Sequence, residues 1–305
     1  MTDTPAAPSP RAPQAVRAQE LPFDVDLRRL NLGVGYVALG LPLALPLVSL
    51  LTGSCFHSSI SHYYFTRIGG DILVGALSFI GLLLMFFYGF QAPTREGCLG
   101  WHRIDVIVLK LAGLAAVIVA FVPTTGSGCR FEGADIARVY LTDALGSEGF
   151  HPPGGTVTGA PSLDFWASFP SFAGDVPIAL KLLHFGAAGV MFLILGYFSF
   201  YVFTRINSTA ALARGNRKDR RNGWYRALGR VIFAVVGVLA IKAAALELIL
   251  PAPLAETIEA LWDQLHLTFL CEAAGLIAFG LSWMIKGRFL AAFEDAAAIP
   301  QARAA

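Results

Sequence analysis

Long apolar stretches separated by short polar ones dominate this chain. A helix needs about 20 apolar residues to cross a bilayer, and six stretches reach that length with few charges. They are roughly Leu32–Leu51, Asp71–Phe90, Ile104–Val122, Val176–Phe203, Val231–Leu250 and Leu267–Ile285. The pattern therefore predicts an all-α fold, a polytopic transmembrane bundle of six helices.

The composition is typical of a membrane protein. Of the 305 residues, 55% are hydrophobic and only 14% are charged, whereas soluble domains have about a quarter of their residues charged. Residues 1–29 are rich in Pro, Ala and charge and lack the apolar core of a signal peptide. We interpret them as a disordered cytoplasmic tail, residues 30–287 as the six-helix membrane domain and residues 288–305 as a second cytoplasmic tail.

The distribution of Lys and Arg predicts the orientation of the spans. The linker 204–230 is strongly basic, and the two tails and the connection after the second span add further Arg and Lys residues. The opposite side has only Arg67, Arg130, Arg138 and Lys181. Because cytoplasmic segments carry the excess of Lys and Arg, both termini are predicted to be cytoplasmic. The linker is interpreted as a topology determinant that contacts lipid headgroups, and no nucleic-acid partner is expected.

Three segments are predicted on the outer side. Residues 58–71 connect the first two spans, residues 124–175 form a long Gly-rich loop, and Ala252–His266 has the apolar spacing of a short interfacial helix. The long loop is either a cover over a ligand or a packed cover without one.

The cysteines are divided between the two sides. Cys55 and Cys129 are both outside, and Cys98 is cytoplasmic. Cys271 lies in the sixth span. An oxidising compartment permits a disulfide between the two outer cysteines, so Cys55 and Cys129 are disulfide candidates.

Polar residues at similar depth predict a pocket in the outer half of the bundle. Counting about 1.5 Å per residue places His184, Lys242 and Glu272 roughly 9–12 Å below the outer boundary. Ionisable groups inside spans usually mark functional sites. The candidate ligand-binding residues are His62, Tyr63, Arg67, Asp71, His184, Lys242 and Glu272.

Within this pocket, the hypothesis assigns a role to each charged group. Lys242 and Glu272 form a central ion pair, His184 and Asp71 line the wall, and residues 58–71 cap the pocket. Asp71 is also predicted to be the N-cap of the second span, after a tight turn at Gly69–Gly70. The alternative is a purely structural ion pair, with His184 hydrogen-bonded to a backbone carbonyl.

The stretch "SISHYYFTRIGGDILVGALSFIGLLLMFFYG" resembles a signature of bacterial multi-pass membrane proteins. In that group, S-I-S-x-Y-Y-x-T is followed by an Asp and by V-G at the start of the second span. The stretches "HFGAAGVMFLILGYFSFYVFTR" and "FGLSWMIKG" are similar to the same group. The resemblance implies a six-helix bundle in a bacterial plasma (inner) membrane, and it implies no biochemical function.

A second resemblance concerns zinc. Ser58, His62 and Asp71 are similar to part of the Ser/His/Asp zinc constellation of the alkaline ceramidase and adiponectin-receptor superfamily. That superfamily has seven spans and a late His-x-x-x-His, in place of which this chain has His266 and Glu272. We predict no cofactor. The alternative is zinc held by His62, His184 and His266 with an acidic residue.

Three functions remain open at this point. The first is binding or transport of a small amphiphile, lipid headgroup or ion in the outer pocket, with membrane lipids as partners. The second is a metal-dependent intramembrane lipid hydrolase at the same pocket. The third is a structural subunit of a membrane complex or a homo-oligomer, with the basic linker as its docking surface. We favour the first, because intramembrane charges most often serve a ligand.

Overall fold

A computed structural model describes residues 26–89, 100–122, 178–205 and 215–293. The regular secondary structure of these residues is entirely helical. The α-helices are α1 Leu27–Thr52, α2 Arg67–Phe86, α3 Arg103–Phe121, α4 Ile178–Tyr197, α5 Gly215–Ala244, α6 Ala252–Gln264 and α7 Leu267–Lys286. Short 3-10 helices cover Ser61–Phe65 and Ala291–Phe293, and π-helical turns at Phe198–Val202 and Ala245–Ile249 extend α4 and α5.

Six of these helices are long and apolar enough to cross a membrane: α1 to α5 and α7. The prediction of an all-α chain with six membrane-competent helices is thus confirmed for the described residues. The short helix predicted at Ala252–His266 is present as α6. The predicted outer loop 124–175, most of the two tails and Cys129 lie outside the described residues.

The start of α2 corrects the sequence-based boundary. Asp71 was predicted to cap this helix, but the N-cap is Thr66, whose backbone is extended, and Asp71 is an exposed residue of the second turn. Gly69 therefore belongs to the helix and not to a turn. A Cβ at Gly69 would lie 2.6 Å from the Tyr63 ring and 2.4 Å from the Thr66 hydroxyl. Glycine is needed here because the preceding segment packs directly on the first turn of α2.

The fifth helix also begins earlier than predicted. It starts at Gly215, inside the region interpreted as a basic linker, so basic side chains of residues 215–230 are on a helix. Two of them, Lys218 and Arg221, are buried. Periodicity did not reveal this extension, because charged residues interrupt the apolar pattern there.

The long helices pack as a closed ring. Each of α1, α2, α3 and α4 packs against the next helix in chain order, and α7 packs against both α5 and α1 and so completes the ring. Two crossings are glycine contacts: a Cβ at Gly81 would lie 2.7 Å from the Gly113 carbonyl, and one at Gly35 would lie 2.8 Å from the Gly280 carbonyl. Small residues allow such close backbone approach, which is typical of helices packed in membranes.

The ring has two chemically different ends. We call the end where α1 stops and α2 and α7 start the His62 end, and the opposite end the Arg221 end. At the Arg221 end, the buried Asp105 carboxylate accepts hydrogen bonds from Arg205 (2.5 Å) and from the Tyr197 hydroxyl (2.9 Å). Arg205 reaches this carboxylate from the end of α4, whereas Lys110 of α3 is exposed.

Candidate functional site

The connector, residues 54–66 between α1 and α2, folds into the His62 end of the ring. Its hydroxyl and aromatic residues are largely buried, with 8% or less of the residue exposed for Ser58, Ser59, Ser61, Tyr63 and Tyr64. A polar segment can be buried only if its hydrogen-bonding groups find partners. The surrounding helices supply them.

Glu272 is the main partner of the connector. Its Oε2 accepts hydrogen bonds from the Ile60 backbone nitrogen (2.6 Å) and from the Ser59 hydroxyl (2.8 Å). In return, the Phe269 nitrogen in the first turn of α7 donates to the Ser58 carbonyl at 2.8 Å. First-turn N–H groups have no partner within their own helix. The connector and the start of α7 therefore satisfy each other's backbone and side-chain groups.

His184 joins the connector to α3 and α4. Its Nδ1 lies 2.7 Å from the Val122 carbonyl, and its Nε2 lies 3.0 Å from the Ser61 hydroxyl. A carbonyl only accepts, so Nδ1 must carry the hydrogen, and Nε2 of the neutral ring then accepts from Ser61. A hydrogen bond from His184 to a backbone carbonyl is what the structural alternative, without a ligand, predicted.

Tyr63 anchors the connector to α1. The Ser49 hydroxyl donates to the Cys55 carbonyl at 3.0 Å, so the Tyr63 hydroxyl donates to Ser49 at 2.9 Å. The Tyr63 ring packs edge-on against His57, with centroids 4.8 Å apart. Tyr63 is thus part of the packed wall, and only 1% of it is exposed.

A charged cluster lies beside the connector, where α5 and α6 meet. We define it as His62, Lys242, Glu259 and Asp263. Lys242 Nζ lies 3.6 Å from Glu259 Oε1 and sits over the Trp262 ring at 5.9 Å. Lys242 is also close enough to His62 and Asp263 to influence both electrostatically. Unlike Tyr63 and His184, the charged cluster is partly open to its surroundings.

Burial keeps the histidines of the connector neutral. Burial lowers the pKa of His57 to about 4. Burial, together with His57, His184 and Lys242 nearby, lowers the pKa of His62 to about 3. In the charged cluster, burial raises the pKa of Asp263 and Lys242 opposes this rise. His62 therefore enters the cluster at neutral pH as an uncharged hydrogen-bonding group, with its Nδ1 3.4 Å from the Ser58 hydroxyl.

His57 is a site residue that the sequence reasoning missed. It is 1% exposed, and among the residues that the structure describes neither ring nitrogen has a hydrogen-bond partner. Its position directly before "SSISH" could have drawn attention to it, but an isolated His carries no spacing signal. Glu259 and Asp263 were also missed, because residues on a short amphipathic helix look solvent-exposed from sequence alone.

The predicted pocket is therefore divided in two. Tyr63, His184 and Glu272 meet at the buried connector, whereas His62 and Lys242 lie in the charged cluster. The predicted Lys242–Glu272 ion pair is wrong, because Lys242 pairs with Glu259 and Glu272 binds the connector. Asp71 is exposed on α2, and the side chain of Arg67 lies outside the described residues.

The described contacts bear on the metal hypothesis and on the predicted disulfide. Within residues 26–89, 100–122, 178–205 and 215–293, no three His, Cys, Asp or Glu side chains come together in a way that could hold a metal ion. In particular, both ring nitrogens of His266 face backbone carbonyls, those of Gln264 and Phe56. Cys55 is disulfide-bonded to a residue outside the described part, and Cys271 is free.

Comparisons with known proteins returned no relative that bears on this site. No protein-family model, no curated protein and no solved structure matches the chain.

Proposed function

We propose that this chain is a multi-pass protein of a bacterial plasma membrane with both termini cytoplasmic. Six membrane-competent helices support insertion, and the excess of Lys and Arg at the Arg221 end supports placing that end in the cytoplasm. We also propose that it belongs with the bacterial multi-pass proteins that share the S-I-S-x-Y-Y-x-T stretch.

The orientation can be tested with two fusions to the full chain. A fluorescent protein at the C-terminus should fluoresce, because it folds in the cytoplasm, and alkaline phosphatase at the same position should be inactive. Active phosphatase and a dark fluorescent protein would reverse the proposed orientation.

We further propose that the His62 end binds a small amphiphile through its polar headgroup. The observation that carries this proposal is the charged cluster, where Lys242, 19% exposed in its side chain, faces Glu259, 56% exposed. An intramembrane lysine that stays accessible and close to acidic groups is typical of a ligand site. Both signs of charge are present, which favours a headgroup that carries anionic and cationic groups.

The surface around the charged cluster suits the apolar part of such a ligand. The same half of α5 exposes Val238, Ile241 and Leu248. On α6, Leu254, Leu261 and Leu265 are exposed. Apolar surface that borders a few converging polar groups is the common form of an amphiphile site.

The buried contacts of the connector would make this site rigid. Glu272, His184 and Tyr63 hold the connector through side-chain hydrogen bonds to α7, α4 and α1. The connector in turn positions His62. A ligand that binds a preorganised group loses less entropy than one that must order a loop.

The test is to identify the lipids and other amphiphiles that remain bound to the purified protein. Wild type is compared with Lys242→Gln, His62→Gln and the control Lys110→Gln, which removes an exposed lysine from α3. Native mass spectrometry in detergent should show one bound amphiphile on wild type and on Lys110→Gln. It should be at least about ten-fold depleted on Lys242→Gln, since charged hydrogen bonds contribute about 1.5–3 kcal/mol.

The variants also separate this proposal from a structural role of the charged cluster. The thermal midpoint of unfolding should change little in Lys242→Gln, because partly exposed ion pairs contribute about 1 kcal/mol or less. The same bound molecules on all four proteins would refute the binding proposal.

A further inference from the structure

Lys242 and Glu259 attract each other without forming a hydrogen bond. Lys242 Nζ lies 3.6 Å from Glu259 Oε1, whereas a hydrogen bond between charged groups is about 2.7–2.9 Å long. In the part of the chain that the structure describes, neither side chain makes a hydrogen bond elsewhere. The Lys242 side chain is only 19% exposed, and hydrogen bonds left unmade by a poorly hydrated charge are costly. The ammonium and the carboxylate are therefore both open to a ligand.

The charged cluster contains two carboxylates for one lysine. Glu259 and Asp263 are a turn apart on the same face of α6. Burial and the neighbouring carboxylate of Glu259 raise the pKa of Asp263, while Lys242 and the Ser58 hydroxyl oppose this rise. The two carboxylates therefore repel each other, and a second cation beside them would relieve the repulsion.

The histidines near the cluster have other roles. His62 is neutral at pH 7, because burial above all lowers its pKa to about 3. His266 also influences Asp263, but its ring nitrogens lie 3.0 and 3.2 Å from the carbonyls of Gln264 and Phe56. The described part of the chain therefore offers the two carboxylates a single ammonium, that of Lys242.

The aromatic surroundings indicate which kind of cation fits beside the carboxylates. A quaternary ammonium is recognised by aromatic rings that surround it. The Trp262 ring already lies under Lys242, with Nζ 5.9 Å from its centre, and its N–H donates to the Thr268 hydroxyl at 2.8 Å. The remaining polar groups are carboxylate oxygens, which accept hydrogen bonds. They favour a primary ammonium, because it still carries N–H groups.

We propose that the amphiphile of the charged cluster is a phospholipid with a phosphoethanolamine headgroup. Lys242 binds its phosphate, and Glu259 and Asp263 bind its primary ammonium. In this headgroup a short ethylene bridge places an anion next to a cation, as Lys242 and Glu259 are placed in the protein. The inference rests on the amphiphile binding proposed for the His62 end and names the class of ligand.

The same charges disfavour other phospholipid headgroups. Phosphatidylglycerol has a phosphate for Lys242 but no cation, so the repulsion between Glu259 and Asp263 would remain. Phosphatidylserine adds a carboxylate to two that already repel each other. Phosphatidylcholine has the right charges, but its trimethylammonium group has no N–H to donate to a carboxylate.

The experiment uses nanodiscs with equal parts of phosphatidylethanolamine, phosphatidylcholine and phosphatidylglycerol, all with the same acyl chains. Native mass spectrometry counts the lipids that stay on the released full-length protein. Wild type should retain about ten-fold more phosphatidylethanolamine than either of the others, because its ammonium donates charged hydrogen bonds. In a second series, mono- and dimethylated phosphatidylethanolamine should be retained progressively less as N–H groups are lost.

The central variant is Glu259→Gln, with Glu256→Gln as its matched control. Both remove one negative charge from α6, but Glu256 is exposed and has no described contact. Glu259→Gln should retain about ten-fold less phosphatidylethanolamine than wild type and relatively more phosphatidylglycerol, since Lys242 is still present. Glu256→Gln should stay within about two-fold of wild type. Glu259 is 56% exposed, so Glu259→Gln should fold, and its thermal midpoint of unfolding verifies this.

Three results would overturn the inference, and they differ in what they say about amphiphile binding. If wild type retains phosphatidylcholine or phosphatidylglycerol as strongly as phosphatidylethanolamine, and Lys242→Gln loses that lipid, the cluster binds an amphiphile but the headgroup is wrong. If Lys242→Gln loses no lipid, the binding proposal fails as well. If Glu259→Gln and Glu256→Gln reduce retention equally, the effect is one of general surface charge.

Discussion

The carboxylate of Glu272 lies 2.6 Å from the backbone nitrogen of Ile60, a residue 212 positions away in the sequence. This contact joins the start of the last membrane-competent helix to the connector between the first two. The carboxylate is a strong hydrogen-bond acceptor for the backbone of the connector, and it comes from a residue that is distant in sequence. Because Phe269 returns a backbone hydrogen bond to Ser58, the connector and α7 are held together from both sides.

Replacing Glu272 should destabilise the protein strongly. Glu272→Ala leaves the Ser59 hydroxyl and the Ile60 N–H without their acceptor. We therefore expect the free energy of unfolding to fall by about 2–3 kcal/mol. Glu272→Gln should cost less, because its amide oxygen can still accept. Thermal unfolding in detergent measures the difference, with Glu256→Gln on the exposed face of α6 as control. Equal midpoints for Glu272→Ala and wild type would show that the connector does not depend on this carboxylate.

Acidic pH should weaken the His62 end. The pKa of His57 falls from 6.5 in the unfolded chain to about 4 in the fold, so the unfolded state binds more protons between these values. Neutral His57 makes its full contribution to the free energy of unfolding above pH 6.5. As the pH falls from 6.5 towards 4, the free energy of unfolding decreases by at most about 1.4 kcal/mol per pH unit. His62 acts in the same direction, with a pKa of about 3.

The variant His57→Phe checks this assignment. It keeps the ring contact with Tyr63 and removes the titrating group. Thermal midpoints measured from pH 7 to pH 4 should fall less steeply for His57→Phe than for wild type. His102→Asn, which replaces the N-cap of α3 by another capping residue, should keep the wild-type slope. A slope that is unchanged in His57→Phe would contradict the prediction.

Two glycines of α2 should respond to alanine in opposite directions. A Cβ at Gly81 would lie 2.7 Å from the Gly113 carbonyl, whereas one at Gly75 meets nothing within 4 Å. Gly81→Ala should therefore cost about 1–3 kcal/mol by overpacking. Gly75→Ala should raise the free energy of unfolding by up to about 1 kcal/mol, because alanine has a higher helix propensity than glycine. Thermal midpoints that shift in the same direction would argue against the close α2–α3 crossing.

The disulfide partner of Cys55 is predicted to be Cys129. Cys271 is free, so the remaining choice is between Cys129 and Cys98. Labelling of unfolded, unreduced protein with a maleimide counts the free thiols by mass. Cys129→Ala should add one label relative to wild type, because it releases Cys55, and Cys98→Ala should remove one. The reverse pattern would assign Cys98 as the partner.

The sequence alone was sufficient for the number and type of the helices. Twenty or so consecutive apolar residues can satisfy their backbone groups in a membrane only as a helix, so six such stretches predict six helices whatever their neighbours are. The short helix α6 followed equally from the spacing of Ile258, Leu261 and Leu265. Sequence reasoning also placed His184, Lys242 and Glu272 near one end of the bundle, because depth along a helix depends only on counting residues.

The tertiary structure alone decided which of these side chains meet. Each residue turns the side-chain direction by about 100° around a helix axis, and the rotation of each helix is set by packing against its neighbours, as at Gly35 and Gly280. Glu272 therefore faces the connector and Lys242 faces Glu259, although the two have similar depths. The same reason hid the contacts of Phe203, whose carbonyl accepts from Lys218 and whose ring lies under Lys286. These residues are far apart in sequence and meet because α7 packs against α5.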